Sequence, residues 1–291
     1  MTPPAPRLYI SDLDGTLLAD DATLSETSRS GLLRILRAGI PFTVASARSI
    51  VSIRHTLGDL PLTLPVIEIN GAFITDYATA RHQAINAIDR DLVEDVYGRI
   101  DRHGCIPILS AFDGTRDRVY YAALANPGME WYYRERKGMN DNRLTPVESL
   151  PSAFDSHIVA FTVIDARQKL LPLADELLAD LPGRLESHFF ENPYSPGWWW
   201  LTIHDITACK SLAVKTVAAA AGFDLSRVVV FGDNLNDIKM FQTGCHPVAV
   251  ANATDDLKRH AAEIIGTNQA DSVVRYILRD AGLDPSLETC P

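Results

Sequence analysis

Short apolar runs alternate with helical periodicities at both ends of this chain, and the middle breaks that rhythm. Residues 7–11 (RLYIS) predict a buried strand running into an Asp-rich turn. Thr23-Leu24-Ser25-Glu26 is a capping-box pattern. Leu32, Ile35 and Leu36 then recur at helical spacing, and Gly39 predicts the stop. Residues 40–45 (IPFTVA) predict a second strand, 49–57 a helix, and 65–69 (PVIEI) a third strand stopped by Asn70-Gly71. This succession of strand and helix implies a parallel sheet.

The middle predicts a helix over 89–103, then strands over 105–112 and 118–124 joined by Asp113-Gly114. A helix over 129–137, a strand over 157–164, a helix over 166–181 and a strand over 185–191 follow. Strands mixed with helices in this way predict a separate α+β domain. The last third returns to the α/β rhythm, with strands over 198–203, 228–231 and 247–250. Helices are predicted over 207–221, from about Asn234, and over 271–278. The expected fold is α/β: a doubly wound, Rossmann-like parallel-sheet core from 1–81 and 191–291, with an α+β domain inserted over 82–190.

Composition narrows the function. Hydrophobic residues are 46 % and charged residues 22 % of 291, enough for a core without disulfide or metal staples. Lys plus Arg is 27 against 37 Asp plus Glu, a net charge of −10, which disfavours nucleic acid as a partner. An anionic ligand would need a local positive patch or a metal. Cys105, Cys209, Cys245 and Cys290 lie far apart with no C-x-x-C, against a zinc site or disulfide framework. That usage fits a reducing cytosol, so a cytoplasmic location is expected. Residues 1–7 lack the apolar core of a signal peptide, and no run of roughly 18 apolar residues predicts a membrane span.

Four segments carry chemistry, each at a strand end or helix start, where ligands gather in open parallel sheets. In Asp12-Leu13-Asp14-Gly15-Thr16, two carboxylates at i and i+2 point the same way. Their repulsion calls for a cation or a proton, and Mg2+ suits carboxylate oxygens. One could act as nucleophile and the other as general acid and base; a strand-ending Asx turn is the plain alternative. Ser46-Ala47-Arg48 offers a hydroxyl and amides to an anion, or simply caps a helix. Lys210 stands in a helix's first turn, where the macrodipole disfavours a cation unless an anion faces it. Gly232-Asp233-Asn234-Leu235-Asn236-Asp237 crowds carboxylates and amides into one turn, suiting either a magnesium site or an N-cap with an acidic first turn.

Together these residues resemble the haloacid dehalogenase superfamily: D-x-D-G-T-L-L at Asp12 to Leu18, Ser46 before Arg48, Lys210, and G-D-x-x-N-D at Gly232 to Asp237. Asn70-Gly71-Ala72 and Val250-Ala251-Asn252-Ala253 resemble patterns of its Cof-type branch, in which a large α+β cap follows the third core strand. The resemblance implies a Mg2+-dependent phosphatase acting on small phosphomonoesters, such as sugar phosphates or phosphorylated cofactors, through an aspartyl-phosphate. It implies Asp12 as nucleophile and Asp14 as general acid and base. It implies that Ser46, Lys210, Asn236 and the amides near Leu13 and Ala47 bind phosphate. Asp12, the main-chain carbonyl of Asp14 and Asp233 would hold Mg2+, with Asp237 supporting the metal or Lys210. One departure is Ala-Ser-Ala-Arg where Thr-Gly-Arg is more usual in this branch; Ala47 carries a Cβ that glycine lacks.

Two other outcomes stay open: a phosphotransferase or mutase on the same core, and a binding protein that has lost catalysis. Asp113-Gly114-Thr115 mimics the first motif, but Ala111 replaces its leading Asp, so a turn is expected. Alternation puts two of Trp198, Trp199 and Trp200 on one sheet face, and a core role is expected for them rather than a substrate-facing one. Trp131, Tyr132, Tyr133, Arg134 and Arg136 are candidate specificity residues, though such aromatics usually pack. His204 and His246 are assigned ordinary polar roles.

Overall fold

A computed structural model describes residues 6–283. The chain first forms β1 (Leu8–Ser11), α1 (Glu26–Arg37), β2 (Phe42–Val44), α2 (Ile50–Leu57), β3 (Val66–Glu68), β4 (Phe73–Thr75) and β5 (His82–Ile85). It continues with α3 (Arg90–Arg102), β6 (Pro107–Phe112), β7 (Asp117–Tyr121), α4 (Pro127–Gly138), β8 (Leu144–Pro146), β9 (His157–Asp165), α5 (Arg167–Asp180), β10 (Leu185–Glu191) and β11 (Trp199–Asp205). It ends with α6 (Lys210–Ala220), β12 (Val228–Gly232), α7 (Ile238–Phe241), β13 (His246–Ala249), α8 (Asp255–Lys258), β14 (Glu263–Ile264) and α9 (Ser272–Asp280). Two compact units result: one runs to Ala84 and resumes at Cys209, and the other is Ile85–Ala208.

The first unit is built on a five-stranded sheet in the order β14-β13-β12-β1-β2, parallel throughout. Every residue of β12 (VVVFG) is buried, as an apolar run covered on both faces should be. β3 joins the β2 edge through one parallel bridge, Ala45 to Ile67, then turns back on β4 in an antiparallel ladder. Ser28, Gly31, Leu32 and Ile35 form the buried stripe of α1, and Gly31 lets α9 come close: a Cβ there would lie 2.2 Å from Val274 Cγ1. The cap of α1 differs from expectation. Ser25, not Thr23, is the N-cap, accepting from Ser28 N at 2.9 Å, while Thr23 donates its hydroxyl to Asp21.

Register decides where chemistry can gather. Ser11 stands beside both Phe231 and Val44, so β1, β12 and β2 end together. Asp12 N donates to Phe231 O at 3.0 Å and Ala45 N to Ser11 O at 2.9 Å. Asp12, Ser46 and Asp233 therefore leave the sheet along one edge.

The second unit is a six-stranded sheet, β10-β11-β9-β6-β7-β8, antiparallel except for β7 with β8. On one face α3 and α5 bury Leu92, Val96, Leu173 and Leu177 with Leu109, Phe161 and Leu201. On the other, α4 buries Met129 and Tyr132 with Ile108, Val119 and Ile164. Trp198 and Trp200, partly buried, pack against this second cluster and Trp199, also partly buried, against the first, so the tryptophans line the rims of the two faces in alternation. Asp113 accepts from the Thr115 and Arg116 amides, making the turn expected between β6 and β7.

One strand joins a different sheet from the one expected. β11, which periodicity places in the α/β core, pairs with β10 and β9, and the inserted unit runs to Ala208 rather than to 190. Nothing local in a lone strand before a helix says which sheet it will enter. Cys105, Cys209 and Cys245 are buried free thiols, whereas Cys290 and residues 1–5 lie outside the described residues. Among the described residues, no helix is long and apolar enough to cross a membrane.

Candidate active site

Four of the expected site residues converge in the first unit. Lys210 opens α6 and donates to Asp12 Oδ1 at 2.5 Å and Asp237 Oδ1 at 2.7 Å. All three side chains are buried, with Lys210 only 2 % exposed. The anion that a lysine in a helix's first turn requires is thus supplied by the chain itself. Asp237 also orders its own turn. Asn234 and Asp237 form a reciprocal capping box, and Asp237 Oδ2 accepts from Asp233 N at 3.1 Å. One residue therefore serves both the cap and the ion pair. Gly232 makes room for it, since a Cβ there would lie 2.6 Å from Asp237 Oδ2.

Asp233 is fixed by the turn that follows Asp12. Thr16 donates its hydroxyl to Asp233 Oδ1 at 3.0 Å. Gly15, at φ 72°, sits so close that a Cβ would lie 2.4 Å from Asp233 Oδ2. Oxygens of Asp12, Asp233 and Asp237 lie within 4.8 Å of one another. Such a set of hard oxygen donors, two buried and one half-buried, fits a divalent cation. Electrostatics agree with that fit. Burial lifts Asp12 well above the usual carboxylate range, with Lys210 opposing and Asp237 and Asp233 adding to the rise. Burial, then the charge of Asp237, push Asp233 up to about 7. Burial disfavours the Lys210 ammonium, but Asp12 and Asp237 outweigh it and its pKa is raised. Three carboxylates facing one ammonium leave negative charge that a further cation would offset.

Asp14 is held elsewhere. Arg48 donates Nε to Asp14 Oδ2 at 2.7 Å and Nη2 to Oδ1 at 2.6 Å, a two-pronged grip. Arg48 Nη1 is backed by the hydroxyls of Ser52 at 3.2 Å and Thr56 at 3.1 Å, both on α2. Ser46 is buried, its hydroxyl accepting from Arg48 N at 3.1 Å, and Ala47 beside it is exposed. Leu13 is buried in the turn after Asp12, and Asn236 is half-buried in the turn before α7.

The Asn70-Gly71 pair braces this region. Ile69 and Asn70 adopt positive φ, 49° and 55°, an unusual state for a β-branched residue. In return Ile69 N donates to Arg48 O and Asn70 N to Ser46 O, and Gly71 packs where a Cβ would lie 2.7 Å from the Cys209 carbonyl. Sequence reasoning assigned no role to Thr16, Arg48 or Asn252. All three lie inside the motifs that point to the family, so the signal was the motif and the missing information was the partner.

The remaining candidates pack within the second unit. Trp131 and Tyr132 meet Trp200 edge-on or tilted, and Arg136 stacks on Tyr132 at 3.4 Å. His204 is buried with Nδ1 on Val159 O, and burial pushes its pKa down to about 3. His246 of the first unit pairs with Glu263 at 2.8 Å.

A family model described as haloacid dehalogenase-like hydrolase matches residues 9–277. The 5-amino-6-(5-phospho-D-ribitylamino)uracil phosphatase YitU of Bacillus subtilis is 24 % identical over 279 residues, covering 94 % of this chain and 96 % of its own. The pyridoxal phosphate phosphatase YbhA of Escherichia coli is 27 % identical over 284 residues, covering 93 % and 97 %. A haloacid dehalogenase-like hydrolase from Bacteroides thetaiotaomicron, known as a crystal structure, superposes with a TM-score of 0.76 at 21 % identity, covering 94 % of this chain and 99 % of its own. That last likeness concerns the fold.

Proposed function

Because the chain belongs to the haloacid dehalogenase-like hydrolases, we propose that it is a Mg2+-dependent phosphatase of small phosphomonoesters that works through an aspartyl-phosphate on Asp12. The observation that carries this reading is the buried Lys210 held between Asp12 and Asp237, with Asp233 in the same cluster. An ammonium next to a nucleophilic carboxylate is what a phosphoryl group arriving there needs.

Asp12 Oδ attacks phosphorus, and the bond from phosphorus to the ester oxygen breaks. Asp14 gives its proton to the departing oxygen, releasing the alcohol. Water then attacks the aspartyl-phosphate, Asp14 takes its proton, and inorganic phosphate leaves. Lys210, Ser46, Asn236 and the amides of Leu13 and Ala47 hold the phosphoryl oxygens. Asp12, Asp233 and the main-chain carbonyl of Asp14 would hold Mg2+, with Asp237 fixing Lys210 and the Asp233 amide. When bound, the cation supplies neutralisation of phosphoryl charge and offsets the crowding of carboxylates. Since Arg48 occupies both oxygens of Asp14, that ion pair opens before Asp14 can reach a leaving group.

Relatives named for phosphoribitylaminouracil and pyridoxal phosphate phosphatases favour a small phosphorylated metabolite as the substrate. A cytoplasmic location belongs to the same reading and suits the buried free thiols. The test is phosphate release from a panel of sugar phosphates, nucleotides, flavin mononucleotide and pyridoxal phosphate, with Mg2+ and with chelator. Chelator-sensitive release supports the reading. Isomerisation of a hexose phosphate without free phosphate would move it to a mutase, and no turnover of any kind to a binding protein.

A further inference from the structure

The loop after β13 touches the site at two points. Thr254 N donates to Asp233 O at 2.9 Å, and Asn252 Nδ2 donates to Gly15 O at 2.7 Å. Gly15 and Thr16 are the residues that confine the two Asp233 oxygens, one by its missing Cβ and the other by its hydroxyl. The peptide joining them is the one whose carbonyl Asn252 holds.

Asn252 is itself fixed. Its Oδ1 accepts from Asn268 N at 2.9 Å, which orients the amide so that Nδ2 faces Gly15. Asn268 in turn donates Nδ2 to Leu18 O at 3.0 Å and Asp20 Oδ1 at 2.9 Å. The turn after Asp12 is thus gripped at its middle by Asn252 and at its end by Asn268. Gly15 has no side chain to pack, so a peptide there keeps one orientation only if something outside the turn holds it.

We propose that Asn252 is a positioning residue for the divalent-cation site: through Gly15 and Thr16 it sets where the Asp233 carboxylate stands. The proposal rests on the metal-dependent reading above. Asn252 acts through its hydrogen bond to Gly15 O and is assigned no place among the cation's ligands. Groups that orient metal ligands typically change affinity about 10–100-fold when removed. Asn252 is exposed on its loop, so replacing it leaves the core packing alone.

The experiment is Mn2+ binding, by calorimetry or by the loss of free-ion electron paramagnetic resonance signal. It compares the full chain with Asn252→Ala, which loses both hydrogen bonds, and Asn252→Asp, which keeps the acceptor for Asn268 and loses the donor to Gly15. Thermal unfolding in chelator is measured in parallel. The expected result is Mn2+ affinity weakened about tenfold or more in both variants, with metal-free unfolding temperatures close to the parent. Unchanged Mn2+ affinity in Asn252→Asp overturns the proposal, as does a loss of metal-free stability with affinity intact, which marks a purely structural brace. Failure of the parent chain to bind Mn2+ sinks the metal reading itself, a separate outcome.

Discussion

Arg48 grips both carboxylate oxygens of Asp14, at 2.7 and 2.6 Å, while the carboxylates of Asp12, Asp233 and Asp237 gather within 4.8 Å of one another. The side chain proposed to move protons is therefore placed by an arginine from a different strand end. Asp14→Asn should lower hydrolysis of alkyl phosphates by about 10²–10⁴-fold. The loss should be smaller for p-nitrophenyl phosphate, whose leaving oxygen needs no proton. Arg48→Ala removes the ion pair that must open, so hydrolysis of alkyl phosphates should hold or rise relative to that of p-nitrophenyl phosphate. A larger loss on alkyl phosphates than on p-nitrophenyl phosphate would contradict this.

Lys210 is the counter-charge that makes the cluster tolerable. Lys210→Ala leaves Asp12 and Asp237 buried without their partner, and breaking a buried ion pair this way costs about 3–5 kcal/mol. Urea denaturation in chelator measures it, and added Mg2+ should return part of the loss. A change below about 1 kcal/mol, the range of exposed pairs, would contradict the burial argument.

Asp233 ties stability to pH in a particular sense. Its folded pKa is raised to about 7 from 3.8, so between those values the folded state holds a proton that the unfolded state has released. In chelator, stability should fall as pH rises from about 4 to about 7. Mg2+ competes with that proton, so its apparent affinity should rise over the same interval and the fall in stability should flatten. Chemical denaturation at several pH values, with and without Mg2+, checks both signs. Stability that climbs over this interval in chelator would count against a protonated Asp233.

Gly15→Ala meets two obstacles. A left-handed backbone costs a residue with a Cβ about 1–2 kcal/mol, and the new methyl would lie 2.4 Å from Asp233 Oδ2. The variant should fold with a modest loss of stability and bind Mn2+ more weakly. Normal Mn2+ binding would show that Asp233 is not held where Gly15 leaves room.

Much of this was legible because the informative signals are local. A buried run such as Val228–Gly232 and a stripe such as Leu32 and Ile35 announce a strand and a helix without knowledge of the rest of the chain. The motifs likewise pointed to Asp12, Lys210, Asp233 and Asp237, whose side chains meet. What escaped was long-range or very short. β4, β8 and β14 span two or three residues each, too few for a periodicity to register. β11 chose its sheet by pairing with β10 and β9, which no local pattern encodes. Ser25 won the cap of α1 from Thr23 because its hydroxyl reaches Ser28 N. The pairing of Asn252 with Gly15 crosses most of the chain, and that of Arg48 with Asp14 joins two motifs whose separate residues say nothing of the contact.

The most direct measurement is peptide mapping of the chain quenched in acid during turnover with Mg2+ and a good substrate. The quenched sample is treated with borohydride, which reduces an acyl phosphate to the alcohol. The account predicts reduction at Asp12 alone, dependent on both substrate and Mg2+, and none in an Asp12→Asn variant that has also lost turnover. Undiminished phosphate release by Asp12→Asn, or a phosphoryl group on another residue, would contradict it.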